Sequence, residues 1–163
     1  MSRPHAADFD GFYRAELTAL IAFLRKCGFS LHDAEDAAAE AMALAAKTWS
    51  DLRNPRAWVR TVAYRAACKA VRRRRGEVTG GLPDAPDAAD VGSAVEQQDL
   101  LPRVLEQLPD AQRVVFAWYL DGFRSGEIAE ALETPEGTVR SNLRHARAAL
   151  KKLIDDGNWP FDV

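Results

Sequence analysis

Residues 124–152 read RSGEIAEALETPEGTVRSNLRHARAALKK. Over residues 125–132, Ile128, Ala129 and Leu132 share one face of a short helix, with Ser125 placed to cap it. That helix must stop before residues 133–136, because Pro135 lacks an amide proton and restricts Thr134 to extended conformations. Gly137 and Thr138 open a second helix, along which Val139, Leu143, Ala146, Leu150 and Leu153 recur at spacings of three and four. These residues are expected to face inward. The opposite side carries Arg140, Arg144, Arg147, Lys151 and Lys152, with no acid between Gly137 and Lys152. This is the layout of a helix-turn-helix whose second helix enters a DNA major groove by its N-terminal end. On pattern alone, a solvated helical hairpin fits as well.

The wording of the segment separates the two. EIAEALETPEGTVRSNLRHARAAL, preceded by LPDAQRVVFAWYLDGF, resembles region 4 of the extracytoplasmic-function sigma factors, the short members of the sigma-70 family. The likeness lies in the Leu108-Pro109 start, the Glu127-Ile128-Ala129 triplet, the Gly137-Thr138-Val139 helix start and the ending at His145-Ala146-Arg147. It implies that Arg140, Ser141, Arg144 and His145 face the −35 major groove, joined on the DNA side by Arg147, while Arg124 and Thr138 touch phosphates. Fork contacts from arginine to guanine discriminate by ~1–3 kcal/mol each.

A chain of 163 residues accommodates one domain or two small ones. Apolar residues make up 47% of it, enough for cores, yet no run reaches the ~18 apolar residues of a membrane span. No signal-peptide pattern opens the sequence, so a cytoplasmic chain without membrane insertion is expected. Cys27 and Cys68 lie far apart, and the three histidines are scattered. Neither a disulfide framework nor a zinc site is indicated, and no cofactor or metal is expected. No nucleophile, base and orienting group assemble from the motifs, which argues against an enzyme.

The net charge of −2 conceals a sorted distribution. Residues 53–75 hold nine cations and no acid, whereas residues 76–99 hold six acids and no cation. A polyanion meets the local field of the basic run, so an acidic whole-chain pI excludes no nucleic-acid partner.

In the N-terminal half, Asp8 is a candidate cap for a first helix. Phe9, Phe12, Tyr13, Leu17, Leu20, Leu24 and Cys27 form its apolar stripe, which ends at Gly28. A second helix starts after Ser30, whose hydroxyl with Asp33 suggests a capping box, and runs to about Trp49. Pro55 suits the first position of a third helix over residues 56–75. Its periodicity points Trp58, Val62, Ala66 and Ala70 inward, and Arg60, Tyr64, Arg65, Lys69 and Arg72 outward. An aromatic among cations, Tyr64, is placed to stack on an unpaired base for ~1–3 kcal/mol.

AEDAAAEAMALAAKTW and PRAWVRTVAYRAACKAVRRRR are similar to region 2 of the same sigma factors. The resemblance implies that the second helix docks on core RNA polymerase, at the beta-prime clamp helices, through Asp36, Glu40 and Trp49. It assigns residues 48–54, with Arg53 and Asn54, to a loop that captures −10 bases, and Arg56, Arg60, Tyr64, Arg65 and Lys69 to the DNA side. It implies two further partners, the polymerase beta flap and an anti-sigma factor. The sequence departs from the family at Ala39, where glutamine is usual, and at Met42, where an aromatic is usual. Arg65 and Lys69 replace the usual Asn and Asp, which makes that surface more cationic.

Gly80-Gly81, Pro83, Pro86 and the acids predict a flexible linker, and Trp159, Pro160 and Phe161 give the C-terminus an apolar tail. The expected architecture is all-α, with two small helical domains joined by a flexible linker and the C-terminal domain a helix-turn-helix. Residues 1–75 form region 2, 76–94 the linker, 95–155 region 4 and 156–163 the tail. The expected function is that of a sigma factor acting through core polymerase and promoter DNA. The alternatives are a helix-turn-helix regulator with an N-terminal sensing domain, or an interaction module that no longer reads DNA.

Overall fold

The structure, a computed structural model, describes residues 6–77 and 100–157. All regular structure in them is helical: α1 (Ala6–Lys26), α2 (Leu31–Thr48), a 3-10 turn (Trp49–Asp51), α3 (Pro55–Glu77), α4 (Leu100–Leu105), α5 (Asp110–Leu120), α6 (Ser125–Leu132) and α7 (Glu136–Asp155). They form two units, one of α1 up to Leu24 with α2 and α3, the other of α4 to α7 together with Arg25–Gly28. The expected linker beyond Glu77, the first residues of region 4 up to 99 and the aromatic tail lie outside the described residues. None of the described helices is long and apolar enough to cross a membrane.

Helix α1 ends where Gly28 takes φ +103°, a value that suits glycine. Phe29 N–H then donates to Leu24 O at 3.2 Å and Gly28 N–H to Arg25 O at 3.0 Å, the pair of bonds that closes a helix C-terminus. Ser30 caps α2 as expected, accepting from the Asp33 amide at 3.1 Å. The Asp33 carboxylate does not complete the box; it is buried and pairs with Arg74 near the far end of α3. Asn54 Oδ1 accepts the Ala57 amide at 3.3 Å, and Pro55 occupies the first helical position.

The core joins Leu20, Phe23 and Leu24 of α1 to an alanine face of α2, namely Ala34, Ala37, Ala38, Ala41 and Ala45, all at most 3% exposed. Small side chains let α3 come close to α2, and this corrects the predicted phase of α3. Val59, Arg60, Ala63 and Ala67 are its buried residues, while Trp58, Val62, Ala66 and Ala70 sit at the margin. The row Val59, Ala63 and Ala67 and the row Trp58, Val62, Ala66 and Ala70 both repeat every four residues, so periodicity does not choose between them. The alanine wall does, because it admits Ala63 and Ala67 more closely than it admits Trp58. α3 also runs through Gly76 and Glu77, two residues past its expected end.

In the C-terminal unit, Val104, Leu105 and Leu108 are buried, while Leu100 and Leu101 are exposed. Helix α5 buries Val114, Val115, Phe116, Ala117 and Trp118, and the Trp118 ring meets Phe123 edge to face with centroids 5.0 Å apart. Ser125 is the first residue of α6 and not its cap. The cap is Arg124, whose amide donates to Glu127 Oε1 at 3.1 Å. Ile128 anchors α6, and Val139, Leu143 and Ala146 anchor α7, all on the predicted faces. Between the two helices Glu133 adopts φ +52°, ψ +44°, and Pro135 caps α7.

Candidate nucleic-acid and partner interfaces

Helix α7 displays its cations because Val139, Leu143 and Ala146 fix its other face in the core. Thr138, Arg140, Arg144, His145 and Arg147 are exposed, and Ser141 is half-buried. Arg140 is held by its own helix, with Nη2 2.6 Å from Glu136 Oε1. Arg147 lies over the Tyr119 ring, its guanidinium carbon 4.6 Å from the centroid. Tyr119 is 40% exposed at the end of α5. A cleft of about 540 Å³ gathers Arg124, Arg140 and Arg147 with Tyr119, Ser125 and Leu143. The structure thus brings together three cations that lie up to 23 positions apart in sequence (147 − 124).

In the N-terminal unit, Arg53, Asn54, Arg56, Arg65 and Lys69 are exposed. Arg60 is not. It is 1% exposed, donates to Glu16 Oε2 at 3.3 Å and to Arg56 O at 3.0 Å, and lies over Phe23 with its guanidinium carbon 5.6 Å from the ring centroid. The one-residue rotation of α3 carries it inward, which corrects its predicted place on the DNA side. Tyr64 is half-buried with its ring edge-to-face on Phe29, centroids 5.8 Å apart, so it is not the free stacking platform that its neighbours suggest. Arg56 shares the Glu16 carboxylate, its Nε 3.2 Å from Oε1. Glu16 itself escaped the sequence reading, because its partners stand 40 and 44 positions away with no local pattern to mark them.

On α2, Asp36 and Glu40 are exposed one turn apart, and Asp36 is paired with His32 at 3.2 Å. Ala39 is exposed beside them, whereas Met42 is only 2% exposed. The unusual residue at position 42 therefore alters packing and not the surface. Trp49 departs from its predicted surface role. It is 8% exposed, with ring centroids 5.5 Å from Phe9 and 5.0 Å from Phe12, and so fastens α1 to the turn before α3. The exposed cations of α3 and α7 suit phosphates and base edges, and Asp36 and Glu40 form an acidic strip on α2.

The family description Sigma-70 region 2 matches residues 12–77, and Sigma-70, region 4 matches residues 98–150. ECF RNA polymerase sigma factor SigM of Mycobacterium tuberculosis is 31% identical over 150 residues, covering 90% of this chain and 76% of the relative. Among solved structures, the sigma factor RpoE of Bartonella quintana, in complex with the anti-sigma factor NepR, superposes with a TM-score of 0.71. That match has 24% identity over 91% of this chain and 97% of the other. CnrH, in complex with the cytosolic domain of CnrY, gives a TM-score of 0.67 at 19% identity, covering 93% of this chain and 90% of that one. At these identities both likenesses speak for the fold.

Proposed function

We infer the working of this chain from its membership in the sigma-70 family, to whose extracytoplasmic-function group it belongs. It is an RNA polymerase sigma factor that binds core polymerase and promoter DNA. What carries the reading is the succession of a region 2 match and a region 4 match on one chain, the second spanning the helix-turn-helix of α6 and α7.

The division of labour follows from the exposed faces. Residues 1–75 serve the polymerase and the −10 element, and residues 95–155 the −35 element. Asp36 and Glu40 of α2 are the acidic strip offered to the beta-prime clamp helices. Arg53, Asn54, Arg56, Arg65 and Lys69 hold the −10 strand, largely by its backbone, because cations answer phosphates whatever the base. Arg140, Ser141, Arg144 and His145 enter the −35 major groove, with Arg124, Thr138 and Arg147 at its phosphate walls. Binding energy alone performs the task, without catalysis by this chain. The fold relatives RpoE and CnrH were each captured with another protein, NepR and the cytosolic domain of CnrY. An anti-sigma factor that holds this chain until a signal arrives is the corresponding proposal here.

Runoff transcription tests the whole reading. Purified core polymerase plus this protein is expected to give discrete transcripts from genomic fragments on which core alone initiates at random. Lack of any stable complex with core polymerase overturns it.

A further inference from the structure

We propose that Tyr119 is a positioning residue for DNA binding: it holds the Arg147 guanidinium flat so that the arginine's edge, with Arg124 across the cleft, clamps one backbone phosphate beside the groove that α7 reads. The proposal rests on the sigma-factor reading and adds to it a residue of α5 outside the helix-turn-helix.

Tyr119 is the last aromatic of α5 and stands exposed just past the buried run from Val114 to Trp118. Its ring is kept in place from one side by Phe116, which is buried, with centroids 5.7 Å apart. The same ring carries Arg147, whose guanidinium carbon stands 4.6 Å from its centroid. A guanidinium stacked by its face keeps its N–H groups directed outward in the ring plane, the geometry for a two-pronged contact with a phosphate. Unstacked, a long arginine side chain samples many rotamers and loses that entropy on binding. Arg124 lines the same cleft at the N-terminus of α6, where the exposed amide ends add partial positive charge. Three arginines around one concavity, with Glu136 already answering Arg140, leave a site complementary to an anion. The anion that α7 brings to it is the DNA backbone.

The test uses the holoenzyme and a duplex that the wild-type holoenzyme has selected from a randomised pool. Single methylphosphonate linkages, which remove one phosphate charge each, are walked along both strands around the −35 element. The clamp predicts one linkage at which neutralisation weakens the wild type more than it weakens Arg147→Ala or Tyr119→Leu, because Arg124 still meets that phosphate in both variants. Tyr119→Leu is expected to weaken binding about 2- to 5-fold, the range of an exposed cation and ring pair. Tyr119→Phe is expected to retain wild-type affinity, and Tyr119→Leu to add nothing to Arg147→Ala. Arg147→Ala should also flatten the slope of log affinity against log salt by about 1.

If Tyr119→Leu lowers affinity equally in the presence and absence of Arg147, or if every linkage responds alike in wild type and variants, the clamp is wrong. A pool that yields no selected duplex overturns the sigma-factor reading instead, so the two failures are distinguishable. Unchanged thermal unfolding of the variants separates lost positioning from lost folding.

Discussion

The Glu16 carboxylate of α1 and the Arg60 guanidinium of α3 form an ion pair, 3.3 Å apart, inside the N-terminal unit. Arg60 is almost fully buried, and Glu16 retains 17% of its side-chain surface. That asymmetry dictates which half of the pair the unit can spare. Removing Glu16 strands a charge that has little water to turn to, whereas removing Arg60 leaves a carboxylate that still reaches solvent and still meets Arg56 at 3.2 Å.

Glu16→Ala is therefore expected to cost about 3 kcal/mol of N-terminal-unit stability, in the range for breaking a buried pair. Arg60→Met, which replaces the charge by an apolar chain of similar length, is expected to cost no more than about 1 kcal/mol. Urea unfolding of the full-length protein measures both. Equal losses would mean that the pair is as well hydrated as a surface one.

The same burial separates Arg60 from its neighbours in DNA binding. Arg65 and Lys69 are exposed one turn apart on α3. The double change Arg65→Ala and Lys69→Ala should reduce the slope of log affinity against log salt by about 1.4 to 1.8, one counterion term for each cation. Arg60→Met should leave that slope unchanged. Fluorescence anisotropy with a short duplex between 50 and 200 mM salt, about the span over which such slopes are read, decides it.

What the sequence disclosed and what it withheld divide along a physical line. Local devices were legible. The Ser30 cap, the Gly28 stop, the break before Pro135 and the inward row of Val139, Leu143 and Ala146 each depend on residues within a few positions of one another. The rotation of α3 was not legible, because the rows through Val62 and through Ala63 have the same period, and only the alanine face of α2, a distant segment, picks one. The burial of Trp49 and Tyr64 was not legible for a related reason. An amphipathic aromatic ring fits a core, a surface or the margin between them, and neighbours far away in sequence make the choice. The candidate site followed suit: the cations of α7 were readable from spacing, while the cleft that joins Arg124 to Arg147 depends on the packing of three helices.

The alanine face supplies a further expectation. Ala41 is fully buried and Ala43, two residues on, is exposed. Ala41→Leu adds three carbons where α2 and α3 leave no room, and overpacking of this kind costs about 1–3 kcal/mol. Ala43→Leu adds the same carbons to a solvated position and should stay within about 0.5 kcal/mol of wild type. Thermal unfolding of the two variants side by side is the measurement, and a comparable loss from both would contradict the close approach of the helices.

The turn of the helix-turn-helix carries backbone strain at one residue, Glu133, whose φ of +52° lies in the left-handed region. The position closes α6. Thr134 N–H donates to Ala129 O at 3.0 Å and Glu133 N–H to Glu130 O at 3.3 Å, a termination in which glycine is the usual residue at the left-handed place. A side chain there meets the following carbonyl at a cost of roughly 1–2 kcal/mol, which glycine avoids while giving back part of the gain through its freer unfolded chain. Glu133→Gly is therefore expected to hold or raise the stability of the C-terminal unit by up to about 1 kcal/mol. Glu133→Val, whose branched side chain tolerates the conformation least, should lower it by more than about 1 kcal/mol. Because the turn sets the angle at which α7 leaves α6, the valine variant should also lose −35 binding, and the glycine variant should keep it. Unfolding curves together with promoter binding by the holoenzyme check both halves, and a valine variant as stable as the glycine one would show that the turn does not need its left-handed residue.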